Sequence, residues 1–398
     1  MIKLAICFTN WGPYHLARLR ALGESLRGRG CELLAYEVAG IERRYPWRVE
    51  RDQEPFTADT FFADRDLESI PASACRGAIR SALDRDRPNA VAIVGYSRPE
   101  SHEALRWAKR RRVPVVLLSE SQRIDHRRYW WKEAIKRTRV EACRAAVVGG
   151  PAHRDYLVDL GMRRDRITYG YNAIDNAFFA DRAEIARNDP NARERIPARP
   201  YFLAINRFVP EKNLERLVRA FARYRASVAE DRRWDLVLVG DGPNRAAIEA
   251  EAKKHEMDSF IHITGFLQVD ERFELRAFAS AFVHPSLMEP WGLVVNEAAA
   301  CGTPLLVSER AGCARTLVPD PIGVSGARFD PTDEVDLAES LAWMAERSDS
   351  ERARMGANAA RIVADWGPDR FAQGVVEALE IARSVERSRR AAAAIASF

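Results

Sequence analysis

Apolar runs with strand propensity alternate with segments of helical periodicity along most of the chain. Lys3–Phe8 predicts a buried strand, and the segment after it repeats leucine at helical spacing from Leu16 to Leu26. Continuous apolar strands separated by helices are typical of a parallel sheet that helices cover on both faces. Further strands of the first half are predicted at Glu32–Val38, Val91–Gly95, Val115–Ser119, Ala145–Val148 and Arg166–Tyr171.

The segment Asn188–Pro200 interrupts the alternation, because it holds three prolines and no apolar periodicity, and it predicts a linker. The alternation restarts at Tyr201–Asn206 and continues to Pro304–Ser308. We therefore expect an α/β chain with two Rossmann-like, doubly wound parallel-sheet domains at 1–187 and 201–365. Ligands in such folds bind outside the carboxyl ends of the strands and between domains.

Composition excludes several classes of protein. With 47% hydrophobic and 30% charged residues, the chain of 398 residues is neither disordered nor a membrane-spanning protein. The start, Met1–Phe8, shows no secretory signal, and none of the six cysteines forms a C-x-x-C pair. We expect a cytoplasmic protein without a zinc site. The net charge of +5 is too small to indicate nucleic-acid binding by itself.

Two carboxylates eight residues apart, Glu289 and Glu297, bracket the start of a predicted helix that follows the strand Ala281–His284. The first N–H groups of that helix have no intrahelical acceptor and suit a phosphate. Amides for phosphate between carboxylates for hydroxyl groups suit a nucleotide sugar. The alternative, acids placed by the helix dipole, accounts for Glu289 better than for Glu297. The N–H groups that would bind the phosphate are those of Trp291, Gly292 and Leu293.

The loop Asn206–Asn213 follows the strand that opens the second half, and it carries the cations Arg207 and Lys212. Two fixed cations can stabilise a diphosphate as it leaves. The chain has only seven lysines, and Lys212 is the only one between 136 and 253, which favours a specific role for an ammonium there. The alternative is an ordinary solvated loop lysine.

A third candidate loop follows the first strand, where Gly12 leads into a helix and would let the backbone approach a diphosphate. By itself this pattern is weak, because first strand-to-helix loops often contain Gly-Pro for reasons of turn geometry.

Taken together, these segments resemble the family 4 retaining glycosyltransferases, which have the two-domain GT-B fold. The most specific of them is the E-x7-E motif of Glu289 and Glu297. The others are Asn172-Ala-Ile-Asp175, Arg207 with Lys212-Asn213, Val239-Gly-Asp-Gly-Pro243 and Gly265-Phe266.

The resemblance implies a retaining, metal-independent hexosyltransferase that uses a UDP- or GDP-sugar and no cofactor. It implies that Glu289 binds the donor sugar and that Glu297 binds the ribose. It also implies that the C-terminal helix at 366–398 packs back on the first domain. The donor site implied comprises Arg207, Lys212, Gly12, Asn206, Gly240, Gly265, Phe266, Leu267, Trp291, Gly292, Leu293 and Val294.

One position departs from the family pattern. Alignment on Pro114 places Glu120 where the family usually has a histidine near the donor sugar and the acceptor. A carboxylate there could stabilise positive charge on the sugar or bind an acceptor hydroxyl, so we expect Glu120 in the site. His15 and His126 are candidate replacements for the missing imidazole, and a structural role is the alternative for each.

The segment Tyr129–Arg137 combines aromatic and basic residues, including Trp130 and Trp131. One interpretation is a surface on the acceptor side that contacts anionic lipid or a lipid-linked acceptor at the inner face of the cytoplasmic membrane. The other is a core helix whose tryptophans pack inward.

Three other functions are compared with the motifs in the sequence. A nicotinamide dehydrogenase would need G-x-G-x-x-G, and the nearest match has Arg245 in place of the third glycine. A nucleotide-sugar epimerase of the same fold and a non-catalytic nucleotide-sugar-binding protein remain as alternatives. The sequence does not select the donor, and polysaccharide or glycolipid synthesis is the default expectation for the acceptor.

Overall fold

The computed structural model describes residues 2–43, 47–49, 51 and 53–395, and the chain divides into two compact units. The first comprises Met1–Ile174 together with Gly367–Phe398, and the second comprises Asp175–Trp366. In the described part of the chain, no helix combines the length and the apolar character that crossing a membrane requires.

The first unit is built on a seven-stranded sheet with the order β3-β2-β1-β4-β5-β6-β7, in which every neighbouring pair is parallel. Its strands are β1 (Ile2–Phe8), β2 (Cys31–Ile41), β3 (Thr57–Asp66), β4 (Ala90–Val94), β5 (Val115–Ser119), β6 (Ala145–Val148) and β7 (Ile167–Tyr169). Its helices are α1 (Pro13–Arg27), α2 (Ala72–Asp86), α3 (Pro99–Arg111), α4 (Trp130–Ala142), α5 (Pro151–Asp159) and α14 (Pro368–Ile395).

Both faces of this sheet are buried, which is why its strands are apolar at nearly every position. In β1, Ala5 and Cys7 belong to one core cluster, while Leu4, Ile6 and Phe8 belong to the cluster on the opposite face. Helix α14 covers the second face. Its apolar contacts recur at helical spacing, through Phe371, Val375 and Leu379.

The second unit has a six-stranded parallel sheet with the order β10-β9-β8-β11-β12-β13. Its strands are β8 (Tyr201–Ile205), β9 (Asp235–Val239), β10 (Ile261–Gly265), β11 (Ala281–His284), β12 (Leu305–Ser308) and β13 (Gly326–Phe329). Its helices are α6 (Asn176–Asn188), α7 (Leu214–Ser227), α8 (Arg245–Lys254), α9 (Glu274–Ala277), α10 (Leu293–Ala300), α11 (Ala314–Leu317), α12 (Glu334–Glu346) and α13 (Asp349–Ala364).

These sheets confirm the predicted class of two doubly wound α/β units, but the division falls after Ile174 rather than after residue 187. Helix α6 lies in the second unit because it packs there: Arg187 Nε donates to the carbonyl of Ala277, and Phe179 contacts the ring of Phe273. The predicted linker 188–200 therefore lies inside the second unit, where it forms the 3-10 turn Ala192–Arg195. Of the predicted C-terminal segment, residues 396–398 lie outside the described residues.

The strand order defines one switch point in each sheet, where successive strands stop being added at one edge and begin to be added at the other. In the first sheet it lies between β1 and β4, and in the second between β8 and β11. The residues that follow β8 and β11 are those with the strongest sequence motifs. Ligands of open parallel sheets bind at these points, so the second switch point is the candidate position of a ligand site.

Candidate functional site

Lys212 and Glu289 meet at the switch point of the second unit. The loop after β8 ends in the 3-10 turn Pro210–Lys212, and the loop after β11 carries Glu289. Lys212 Nζ donates to Glu289 Oε2, and the two side chains are only 13% and 12% exposed. Lys212 and Glu289 are 77 residues apart in sequence, so the fold itself brings this nearly buried ion pair together at the ends of parallel strands.

His284, the last residue of β11, supports the same carboxylate. Its Nε2 lies 2.8 Å from Glu289 Oε2 and 3.2 Å from Ser286 Oγ, and its side chain is fully buried. Burial lowers the pKa of His284, and the hydrogen bond to Glu289 opposes that shift without reversing it. A neutral imidazole that donates its Nε2 hydrogen to Glu289 fits this environment.

The electrostatics keep Glu289 ionised. Burial raises the pKa of this carboxyl group, but the Lys212 ammonium and the hydrogen bond from His284 outweigh burial and lower the pKa to about 2. Glu289 is therefore an acceptor-only carboxylate at neutral pH. Such a group suits a ligand with hydroxyl donors, as a sugar has.

Backbone contacts fix the two loops against each other. The amide of Leu287 donates to the carbonyl of Glu211, and Asn213 Nδ2 donates to the carbonyls of Pro285 and Pro331. Asn213 has a φ of +60°, a conformation that asparagine tolerates better than most residues. The Asn of the Lys212-Asn213 pair thus holds the site together rather than pointing to a ligand.

Gly292 allows the turn before α10 to close over the carboxylate. Its φ is +102°, and a Cβ there would lie 3.4 Å from both Glu289 Cγ and His284 Nε2. Helix α10 then begins at Leu293, so the amides of Leu293 and Val294 lie in its first turn, where helix geometry leaves N–H groups without intrahelical acceptors. They are suitably oriented donors for an anion.

Two of the residues expected in the donor site turn their side chains into the protein. Trp291 is 1% exposed, its Nε1 donates to Asn296, and its ring packs on Trp366. Glu297 is equally buried, and its Oε2 lies 3.3 Å from Nε of Arg276, itself 4% exposed. The sequence did not predict this cationic partner on α9.

The loop after β8 contains a buried amide group of unusual character. Asn206 is 8% exposed, and neither its Oδ1 nor its Nδ2 has a hydrogen-bond partner among the described residues. Buried polar groups are normally satisfied, so this amide is a candidate for ligand contact. The next residue is Arg207, whose Nη2 lies 3.7 Å from Oε1 of Glu211 and whose side chain is 27% exposed.

The remaining donor-site candidates lie at the ends of β9 and β10. The amide of Gly240 donates to the carbonyl of Gly265. Gly240 also packs closely on Asn206, because a Cβ on Gly240 would lie 1.8 Å from the carbonyl oxygen of Asn206. Gly240 therefore serves backbone packing. The side chain of Phe266 is 42% exposed, and that of Leu267 is partly exposed.

In the first unit, Gly12 caps the start of α1 and its amide donates to His15 Nδ1 over 3.2 Å. Burial, with the nearby Arg18 guanidinium, lowers the pKa of His15 to about 3. His15 is therefore neutral at pH 7 and carries its hydrogen on Nε2. It provides a neutral imidazole at the end of β1, although not at the position where the family pattern places one.

Glu120 lies at the end of β5 and is exposed, and its Oε2 accepts a hydrogen bond from Asn172 Nδ2 over 2.8 Å. Arg18, which is 3% exposed, donates to the carbonyl of Tyr171 nearby. The structure thus brings Glu120 into contact with the Asn172 motif.

His126, Trp130 and Trp131 lie apart from that cluster in the chain, on α4 and the loop before it, and all three are exposed. The interpretation of this segment as a core helix was wrong, since Trp130 is 84% exposed.

Sequence reasoning missed two residues of the second unit that contact the predicted carboxylates, His284 and Arg276. A histidine at the end of the strand that precedes E-x7-E was visible in the sequence. Nothing in the sequence paired Arg276 with Glu297.

Comparisons with known proteins support a glycosyltransferase. Residues 187–362, which lie within the second unit, match the family model for glycosyl transferases group 1. Glycogen synthase of Mycobacterium tuberculosis is 25% identical over 295 residues, which are 72% of this chain and 68% of that protein. A GDP-mannose-dependent phosphatidylinositol monomannoside mannosyltransferase of Mycolicibacterium smegmatis is 28% identical over 36% of this chain and 40% of its own.

Solved structures show the fold. Sucrose-phosphate synthase from Thermosynechococcus elongatus superposes with a TM-score of 0.71 at 18% identity, over 98% of this chain and all of that one. HepE from Anabaena, solved with UDP, gives a TM-score of 0.67 at 17% identity, over 96% of this chain and all of its own. The chain has the GT-B fold, and the comparisons together support a glycosyltransferase.

Proposed function

We propose that the protein transfers a hexose-type sugar from a UDP- or GDP-sugar to an acceptor hydroxyl group, with retention of the anomeric configuration. The observation that carries this proposal is the cluster of Lys212, Glu289 and His284 at the second switch point, beside the first turn of α10. It combines a cation and amides for phosphate with an ionised carboxylate for hydroxyl groups.

In this proposal the diphosphate binds Arg207, Lys212 and the amides of Leu293 and Val294. Lys212 turns from Glu289 toward the phosphate, since its flexible stem and rotatable ammonium allow it. The carboxylate of Glu289 binds hydroxyl groups of the sugar.

Phe266 and Leu267 flank the base, and Asn206 gives its unsatisfied amide to the donor. Glu297, which is buried against Arg276, leaves that ion pair for the ribose when the donor binds. On the acceptor side, Glu120 and His15 of the first unit take part.

Transfer itself proceeds at the front face of the sugar. The bond from the anomeric carbon to the phosphate oxygen breaks, and its electron pair stays on the diphosphate, where Lys212 and Arg207 stabilise the charge. The acceptor oxygen forms the new bond on the same face, and its proton passes to the leaving phosphate oxygen. No divalent metal is required, so a chelator should leave the rate unchanged.

The acceptor is a carbohydrate or a lipid-linked molecule of polysaccharide or glycolipid synthesis. We place the reaction at the inner face of the cytoplasmic membrane. Both proposals draw on the aromatic and basic segment around α4, whose exposure makes it available to a surface.

A screen of UDP-, GDP- and ADP-sugars by thermal shift selects the donor, because a ligand of the folded state raises the melting temperature with its concentration over Kd. Incubation of that donor with and without glucosides or glycolipids then separates the alternatives. Acceptor-dependent release of nucleoside diphosphate, with an NMR coupling constant of the retained anomer, supports the proposal. Isomerised sugar without acceptor would indicate an epimerase, and binding without turnover a non-catalytic protein.

A further inference from the structure

Helix α4 carries its apolar face away from the protein. Trp130, Trp131, Ala134, Ile135 and Thr138 follow the spacing that places side chains on one helix face, and all five are exposed. Trp130 is 84%, Trp131 48% and Ile135 45% exposed. Since a surface helix normally turns its apolar stripe to the core, this arrangement indicates a second surface that covers it.

The opposite face of α4 is held to the unit by polar contacts. Tyr156 Oη donates to Glu133 Oε2 over 2.7 Å, and Lys136 Nζ donates to Tyr156 Oη over 3.1 Å. Arg139 donates to the carbonyl of Tyr96, and Val140 is the buried residue of the helix. The helix is therefore anchored without its aromatic side chains, and their removal leaves these contacts intact.

The segment around this face is strongly basic. Residues 123–139 contain seven Lys or Arg and two acidic residues, a net charge of +5, which equals the net charge of all 398 residues. The rest of the chain is formally neutral, with 55 basic residues, as 62 less seven, and 55 acidic residues, as 57 less two. This segment is therefore one of the strongly basic stretches of the chain.

Two of these cations lie among the aromatic rings. Lys132 Nζ lies 5.0 Å from the centre of the Tyr129 ring and 5.2 Å from that of Trp131, and Arg127 lies 5.6 Å from the centre of the Tyr129 ring. Within the described ranges, no carboxylate lies at salt-bridge distance from either cation. Their charge is available to an external anion.

We propose that this face docks on a bilayer that contains anionic lipids. The docking face is Ile124, Tyr129, Trp130, Trp131 and Ile135, with Arg127 and Lys132 at its rim. Tryptophan and tyrosine favour the boundary between headgroups and acyl chains, and basic residues beside them attract acidic headgroups. The exposed aliphatic residues Ile124 and Ile135 fit an apolar layer and have no partner on a nucleic acid.

The docking face would hold the protein at the membrane location proposed above. Docking on the bilayer does not require the proposed transfer. It is tested on the full chain by co-sedimentation with vesicles of phosphatidylcholine alone or with about 30% phosphatidylglycerol. We expect binding to the anionic vesicles only. The double variant Trp130→Ala/Trp131→Ala should bind about tenfold less, and Arg127→Glu/Lys132→Glu should lose the preference for anionic lipid.

Matched controls come from exposed residues of the second unit. Ile322→Ala removes an apolar side chain of 60% exposure, and Lys253→Glu/Lys254→Glu reverses two exposed charges on α8, so both should bind as the unaltered protein does. Far-ultraviolet circular dichroism checks the fold. A nucleoside diphosphate should still raise the melting temperature of the aromatic variant, which separates a failure of docking from a failure of the donor site.

Three results would overturn the proposal. One is undiminished vesicle binding by the aromatic double variant, and another is equal binding of the unaltered protein to neutral and anionic vesicles. The third is binding to single-stranded RNA that both docking-face variants lose while vesicle binding is absent, which would assign the face to nucleic acid instead.

Discussion

One oxygen of Glu289, Oε2, accepts hydrogen bonds from both Lys212 and His284. The donors come from different strand ends, so the orientation of the carboxylate depends on the packing of β8 beside β11. Because His284 is buried and neutral, it contributes a fixed hydrogen bond rather than a charge that titrates at neutral pH.

The first prediction concerns this positioning role. His284→Phe removes the hydrogen bond but keeps a ring of similar size, and we expect kcat to fall about 10- to 100-fold, as the loss of about 1.5–3 kcal/mol from a hydrogen bond to a charged group implies. His284→Gln keeps an N–H group at the same reach and should recover much of the rate.

Steady-state kinetics on both variants, at pH 6 to 8, measures this effect. The profile of the unaltered enzyme should show no step from His284, since burial holds the pKa of this imidazole below its ordinary value. Equal rates for His284→Phe and the unaltered enzyme would remove His284 from the account of the site.

At the residue scale, the sequence predicted both partners of the Lys212–Glu289 pair, because each belongs to a motif with fixed spacing next to a strand end. It did not predict Arg276 as the partner of Glu297, since that contact depends on how the short helix α9 packs on α10. A pattern along the chain records spacing within an element but not contacts across elements.

At the scale of elements, glycines explain how the loops of the site approach one another. Gly240 has a φ of +139°, and a Cβ there would overlap the carbonyl oxygen of Asn206. The Val239-Gly-Asp-Gly-Pro243 segment, first interpreted as part of a donor site, thus fixes the distance between the loops after β8 and β9.

The second prediction follows from this contact. Gly240→Ala should lower the free energy of unfolding by about 2–4 kcal/mol, through backbone strain and overlap. Gly302→Ala is the matched control, because Gly302 also has a positive φ, +74°, but has open space around its Cβ position. It should cost only about 1–2 kcal/mol for strain. Denaturant unfolding measures both, and equal losses would show that overlap contributes nothing.

The strands that the sequence missed, β3 and β13, both lie at sheet edges. In β3 the side chains are exposed or partly exposed, so Thr57–Asp66 has no continuous apolar run. In β13 the four residues begin with a glycine and include an arginine. Central strands were predictable because two buried faces require apolar residues, whereas an edge strand relaxes that requirement.

For the whole molecule, the sequence predicted two α/β units but not the point at which the chain leaves the first. The proline-rich segment 188–200 suggested a boundary, yet proline also ends helices inside a unit, and α6 packs on elements of the second unit. The C-terminal segment then completes the first unit, since α14 supplies part of its core.

The third prediction tests that completion. Gly374 of α14 packs on β7 so closely that a Cβ would lie 2.0 Å from the carbonyl oxygen of Tyr169. Gly374→Ala should therefore destabilise the first unit by about 1–3 kcal/mol. Hydrogen exchange should rise in β6, β7 and α14.

Gly77→Ala is the control for this variant, because Gly77 is also a helical glycine of the first unit but has nothing within 4 Å of its Cβ position. It should stabilise the protein by about 0.5–1 kcal/mol. Unchanged exchange in Gly374→Ala would contradict the close packing of α14 on the sheet.

The proposed transfer depends most directly on Lys212, which provides the ammonium for the leaving diphosphate. The decisive measurement is the rate of acceptor-dependent release of nucleoside diphosphate by Lys212→Ala, with Lys253→Ala as a control on an exposed lysine. Loss of this cation should reduce kcat by about 100- to 1,000-fold while circular dichroism shows an intact fold. A folded Lys212→Ala variant that turns over at the rate of the unaltered protein would contradict the assignment of the site.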